Sequence, residues 1–97
     1  MSMLTRLETL IAQRRAAPRE GSYTNALFAK GRHKMAQKVG EEAVEVVVAA
    51  LAQTHEQQVY ELADLFYHTL VLMNDLGVSL EDVMTALERR HAPDETP

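Results

Sequence analysis

Two clusters of carboxylates carry the most suggestive chemistry in this chain. Glu41-Glu42-x-x-Glu45 comes first and, fifteen residues on, Glu61-x-x-Asp64 follows, with His68 one further helical turn away. At 100° per residue, Lys34, Lys38, Glu41, Glu42 and Glu45 fall within about 100° of arc on one helix. That arc runs on into an apolar stretch, Val46 to Leu51, which predicts a helix buried on every side beyond Glu45. The glutamates then stand at the mouth of a core. Glu61, Asp64 and His68 share one face of a second helix. An antiparallel hairpin turning near residues 54–55 sets Glu45 level with Asp64 and Glu41 level with His68. Four or five carboxylates converge between the helices.

Carboxylates that close repel one another and hold their protons more tightly. No Lys or Arg occurs between Val39 and Glu88 to neutralise Glu61 and Asp64. A hard divalent cation is the natural partner. Mg²⁺ takes oxygen ligands, keeps several waters and shares its shell with substrate phosphates. Lys30, Arg32, Lys34 and Lys38 supply positive charge for such phosphates. Hydrolysis of a phosphate anhydride by a metal-activated water fits the set. The competing reading is an ordinary solvated acidic face. His68 serves either to orient a carboxylate or water or as a packed structural histidine. His33 reads as solvated, and the single Glu88-x-x-His91 match to a di-iron motif reads as chance.

The elements that must position these groups are helical. Met3, Leu4, Leu7, Leu10 and Ile11 predict a helix over 2–15. Pro18 and Gly21 break the chain, and Ser22-Tyr23-Thr24 offers caps for a short helix ending at Gly31. Residues 33–53 and 57–76 form the long helices, with Thr54 a candidate cap between them and Gly77 the terminator. Gly40 inside the first long helix costs about 1 kcal/mol relative to Ala; it is there for packing or ligand approach, or is merely tolerated. Ser79 with Asp82 starts a last helix lined by Leu80, Val83, Met84 and Leu87. Tyr60 and Tyr67 are expected at the core's edge. The class is all-α, a bundle of about five helices in one domain, 1–92, with a loose tail, 93–97.

Composition narrows the function. The chain has 97 residues, no cysteine and a net charge of −4. Disulfides and thiolate metal sites are excluded. The basic residues concentrate between Arg14 and Lys38, with no second basic stripe, so nucleic acid is not the expected partner. No stretch is long and apolar enough to span a membrane, and the expected compartment is the cytoplasm. A core this small gains from dimerisation.

The residues also resemble a known family. Glu41-Glu42-x-x-Glu45 followed by Glu61-x-x-Asp64 is similar to the signature of the MazG-like all-α nucleotide pyrophosphohydrolases. "SYTNALFAKG" (22–31), "KVGEEAVEVVVAAL" (38–51), "ELADLFYHTLVLM" (61–73) and "GVSLEDVMTALERRH" (77–91) resemble, within it, the phosphoribosyl-ATP pyrophosphatases of histidine biosynthesis. The resemblance implies Mg²⁺-dependent hydrolysis of phosphoribosyl-ATP to phosphoribosyl-AMP and pyrophosphate by a homodimer, with Mn²⁺ as a substitute ion. It makes Glu42, Glu45, Glu61 and Asp64 metal ligands, and Glu41 a further ligand or the residue that positions the water. Lys38, with Lys34 or Arg32, would hold the triphosphate, and Ser22, Tyr23 and Thr24 would line the site. Relatives often carry lysine where Gln37 stands here, which is a departure. No cyclohydrolase domain accompanies the motif, so a stand-alone enzyme is expected. Two alternatives are a housecleaning hydrolase of nucleoside triphosphates and a non-enzymatic helical dimer.

Overall fold

The computed structural model describes residues 2–91. They form five helices: α1 (Met3–Ala16), α2 (Tyr23–Lys30), α3 (Arg32–Ala52), α4 (His55–Leu76) and α5 (Leu80–Arg90). Among the described residues there is no strand, and the all-α expectation holds. The expected tail at 93–97 lies outside them.

Local chemistry sets the boundaries. Ser22 Oγ accepts from the Asn25 amide and starts α2. Gly31 ends it at φ 92°, a conformation that side-chain-bearing residues avoid. Thr54 and Gln57 close a reciprocal capping box, and only two residues separate α3 from α4. That short turn makes α3 and α4 an antiparallel hairpin, the main packing pair of the chain. Gly77 stops α4 in the left-handed region at φ 70°. Ser79 and Asp82 form a second complete capping box for α5. Glu8 on α1 also accepts from the Leu80 amide at 2.6 Å and ties α5 to α1.

The core is small: Ile11, Leu27, Met35, Leu70 and Val71 from α1 to α4. Ala49 is fully buried on the α3 face that meets α4, and its missing bulk lets the helices approach closely. Gln58 bonds the Ala49 carbonyl across that contact at 3.0 Å. The far side of α3 differs from expectation. Val44, Val47, Val48 and Leu51 are exposed, as are Val59, Leu62 and Phe66 on α4. Only one flank of α3 is covered, because α2 and α4 are the elements that pack on it. A methyl at Gly40 would meet nothing within 4 Å, so the packing reason for that glycine is absent within one chain. Tyr60 is also exposed, while Tyr67 is half-buried as expected.

Asp75, near the end of α4, gathers three elements. Arg15 Nη1 donates to it at 3.0 Å and Arg32 Nε at 2.6 Å, while Arg32 Nη2 donates to its carbonyl at 2.9 Å. Arg15 also lies 4.4 Å over the Phe28 ring. The Arg32 bond, aided by Arg15, holds the Asp75 carboxyl below the usual carboxylate range. A group so depressed stabilises the fold above its unfolded pKa, and that contribution fades as pH falls through the folded value. Asp75→Asn is expected to lower stability by about 1–2 kcal/mol at pH 7, since both arginines remain solvent-accessible. The difference from wild type should start to shrink near the unfolded value, about pH 4, and close only below the depressed folded value, as followed by thermal unfolding across pH.

Candidate metal and active site

The α3–α4 hairpin brings three sequence-flagged residues together. Oxygens of Glu42 and Asp64 and a ring nitrogen of His68 lie within 4.8 Å of one another. Glu42 is 7% exposed and His68 4%, so both sit inside the hairpin, with Asp64 half-buried. Asp64 thus meets Glu42, a turn earlier on α3 than the simple register expected. Glu45 lies on the exposed side of α3, outside this group. Glu61, half-buried on α4, lines a shallow depression with Gln53, Glu56, Gln57 and Tyr60.

The electrostatics separate the two adjacent glutamates. Burial pushes the Glu42 carboxyl up, and so does the hydrogen-bonded Asp64 carboxyl facing it, against the pull of Lys38. Glu41 points outward. Gln37 Nε2 donates to it at 2.8 Å, and this bond, with Lys38 and Lys34 nearby, holds its carboxyl below the ordinary value. Lys38 Nζ stands between the pair, 3.3 Å from Glu42 and 3.6 Å from Glu41. Burial opposes its charge, yet the bond to Glu42 and the surrounding carboxylates raise its pKa on balance. Gln37, where lysine was expected from the resemblance, anchors Glu41 as a neutral donor.

Helix α2 closes one side. Tyr23 hydroxyl and His68 Nε2 are 3.0 Å apart, and His68 Nδ1 is 2.8 Å from the Asp64 carbonyl oxygen. A carbonyl only accepts, so Nδ1 carries the proton and Nε2 accepts from Tyr23. Thr24 and Tyr67 hydroxyls are hydrogen-bonded in parallel. Burial pushes the Tyr67 phenol up. Tyr23 and Tyr67 rings stack at 6.2 Å, and both meet the His68 ring edge-on. Asn25 fastens the start of α2, donating to the Arg14 carbonyl and accepting from the Arg19 amide. Ser22 is occupied as the α2 cap. Lys34 is half-buried near Glu41, His33 is exposed, and Arg32 is engaged with Asp75. The Tyr23–His68 and Thr24–Tyr67 pairs escaped the sequence reading; only the i, i+4 spacing of Asp64 and His68 hinted at one of them.

The donor set fits a hard divalent cation. Two carboxylates face each other in a mostly buried position with one ammonium beside them, a surplus of negative charge that a cation would relieve.

Comparisons with known proteins identify the family. The family profile for phosphoribosyl-ATP pyrophosphohydrolase matches residues 4–91. A phosphoribosyl-ATP pyrophosphatase of Pyrobaculum aerophilum is 56% identical over 85 residues, covering 88% of this chain and 90% of that protein. One from Erythrobacter litoralis is 53% identical over 90 residues, 93% and 86% of the respective chains. The histidine biosynthesis bifunctional protein HisIE of Halalkalibacterium halodurans is 47% identical over 93 residues, 96% of this chain and 44% of that protein. The chain therefore spans less than half of the bifunctional relative.

Glu42 yields a pH prediction. Asp64, Lys38 and Glu41 are the charged groups around it. A carboxyl with a raised folded pKa binds its proton more tightly when folded. Its contribution is complete below the unfolded value, about 4.3, and is lost as pH rises through the raised one. Metal-free wild type should lose stability relative to Glu42→Gln as pH climbs from about 4 to 7, in denaturant titrations. A constant difference across that range would contradict the facing-carboxylate account.

Proposed function

Since the chain belongs to the phosphoribosyl-ATP pyrophosphohydrolase family, we propose that it hydrolyses the α–β phosphoanhydride of phosphoribosyl-ATP. The products are phosphoribosyl-AMP and pyrophosphate, in the second step of histidine biosynthesis, in the cytoplasm. The facing Glu42 and Asp64 carboxylates beside Lys38 are the observation that carries this reading.

Glu42 and Asp64 would hold Mg²⁺, or Mn²⁺ in its place, with Glu45 and Glu61 completing an oxygen donor set. When bound, the ion neutralises the facing carboxylates and stabilises charge on phosphate oxygens. Lys38 offers its ammonium to the polyphosphate from between Glu41 and Glu42, with Lys34 behind it. Arg32 adds positive potential from its seat on Asp75. Glu41 stays ionised because Gln37 and the lysines hold its pKa down. It is a weak base on that account, and its role is to accept a hydrogen bond from the attacking water and orient it. The water oxygen bonds to phosphorus, the bridging anhydride bond breaks, and pyrophosphate leaves. Ser22, Tyr23 and Thr24 wall the site on the α2 side, and His68 holds that wall to α4.

A homodimer completes the proposal. The accessible surface is 7016 Å² for 10.9 kDa, against about 5,600 Å² for a compact monomer of that mass. Ala36, Gly40, Val44, Val47 and Leu51 form an exposed stripe of small and apolar residues along α3. A second chain packing there would cover it and give Gly40 its reason.

Pyrophosphate release from phosphoribosyl-ATP tests the activity. Turnover is expected with Mg²⁺ and not with chelator. Asp64→Asn should reduce it by at least about 100-fold, because it removes a direct ligand. Comparable turnover of deoxynucleoside triphosphates would favour the housecleaning reading instead. For the assembly, Val47→Glu is expected to convert a dimer to monomers in light scattering; a wild type that runs as a monomer would exclude it.

A further inference from the structure

Helix α5 poses a question that the rest of the fold leaves open. Its start is well fixed: a complete capping box closes it, and Glu8 on α1 accepts from the Leu80 amide. Beyond Leu80 every residue from 81 to 90 is exposed, and α5 packs along no other helix. Eleven residues are too few for a helix to persist in water on its own propensity. Yet its sequence has a face to bury. Leu80, Val83, Met84 and Leu87 share about 100° of arc, with Glu81, Asp82, Glu88 and Arg89 on the remainder. Met84 is 50% exposed and Leu87 45%.

That face looks across a cleft of about 320 Å³, whose opposite wall is Leu65, Phe66, Thr69 and Met73 of α4. No charged side chain lines it, so it offers nothing to select a polar ligand. Phe66 and Met73 stand about 160–180° around α4 from Asp64, so the cleft is separate from the acidic cluster. One chain thus carries an apolar helix face with nothing on it beside an apolar cleft with nothing in it. A two-fold contact fills both at once, because each copy offers what the other lacks. The surface suffices for it. The chain exposes 7016 Å², about 1,400 Å² more than a compact monomer of its mass, where a standard interface takes about 800 Å² from each partner. We propose that α5 is an exchange arm: it enters the α4–α5 cleft of a second copy of this chain, whose own α5 returns the contact. The turn through Gly77 and the Glu8 bond set the angle at which α5 leaves α4. The exchange goes beyond the proposed activity and needs neither it nor the exposed stripe on α3.

The chain has no cysteine, so single thiols can be placed at will. Phe66→Cys and Leu87→Cys are made as separate proteins, mixed, and treated with a short bis-maleimide, with circular dichroism confirming the helical fold. The mixture should give a covalent dimer holding one chain of each kind. The double variant Phe66→Cys/Leu87→Cys, diluted into excess wild type, should not close on itself. Cross-linking within the double variant, with none between the mixed single variants, means that α5 folds down on its own α4 and overturns the exchange. In parallel, Met84→Glu/Leu87→Glu should halve the mass found by light scattering while the other helices remain. A wild type that is monomeric overturns the inference. So does a dimer that survives Met84→Glu/Leu87→Glu but is broken by Val47→Glu, which leaves the α3 contact as the interface. Failure of the pyrophosphate assay touches the activity alone and none of these readings.

Discussion

The structure turns on one unfavourable contact: two carboxyl groups, Glu42 and Asp64, held against each other between two helices. Burial and mutual repulsion both work against ionising the pair, and the single ammonium of Lys38 offsets only part of that. Such a pair persists only where the surroundings fix it. Here the Ala49 contact, the Gln58 bond to the Ala49 carbonyl and the Thr54–Gln57 capping box set the spacing and register of the hairpin. The repulsion stored in the contact is what a bound cation would relieve.

The other elements follow from holding that contact rigid. Helix α2 is eight residues long and too short to be stable alone. It is fixed by Ser22 and Asn25 at its start, by the Tyr23–His68 and Thr24–Tyr67 pairs along its length, and by Leu27 in the core. It thereby walls the acidic cluster. The Asp75 clamp draws the start of α3 and the end of α1 onto α4, while helical spacing along α3 sets Lys38 beside Glu41. Glu41 and Glu42, adjacent in sequence, acquire opposite characters from this frame. One is solvated, its pKa held down first by Gln37; the other is buried, its pKa pushed up by burial and by Asp64.

Much of the helical pattern was legible in the sequence because it is local. Ser22, Gly31, Thr54, Gly77 and Ser79 mark boundaries through chemistry confined to one turn. That the two acidic segments face each other was legible because a two-residue turn forces α3 and α4 side by side, but of the four or five carboxylates expected to converge only Glu42 and Asp64 meet. The register was not: the level positions gave Glu45 to Asp64, whereas Asp64 meets Glu42, since side chains on crossing helices lean along their axes. Pairs separated by 40 residues or more, such as Arg32 with Asp75 or Tyr23 with His68, leave no mark in periodicity. The expectation that α3 is buried all round failed for a related reason. Apolar residues state what must be covered, not whether the same chain covers it, and Val44, Val47 and Leu51 are uncovered here.

The central claim is that a divalent cation sits between α3 and α4 on Glu42 and Asp64. Titrating Mn²⁺ into isotope-labelled protein locates such an ion directly, because its paramagnetism broadens the nearest amide resonances first. The account expects the amides around residues 41–46 and 61–68 to broaden at the lowest Mn²⁺ concentration, with excess Mg²⁺ restoring them. Broadening that begins instead around Glu81, Asp82 and Glu88, or spreads evenly over the acidic surface, would contradict it.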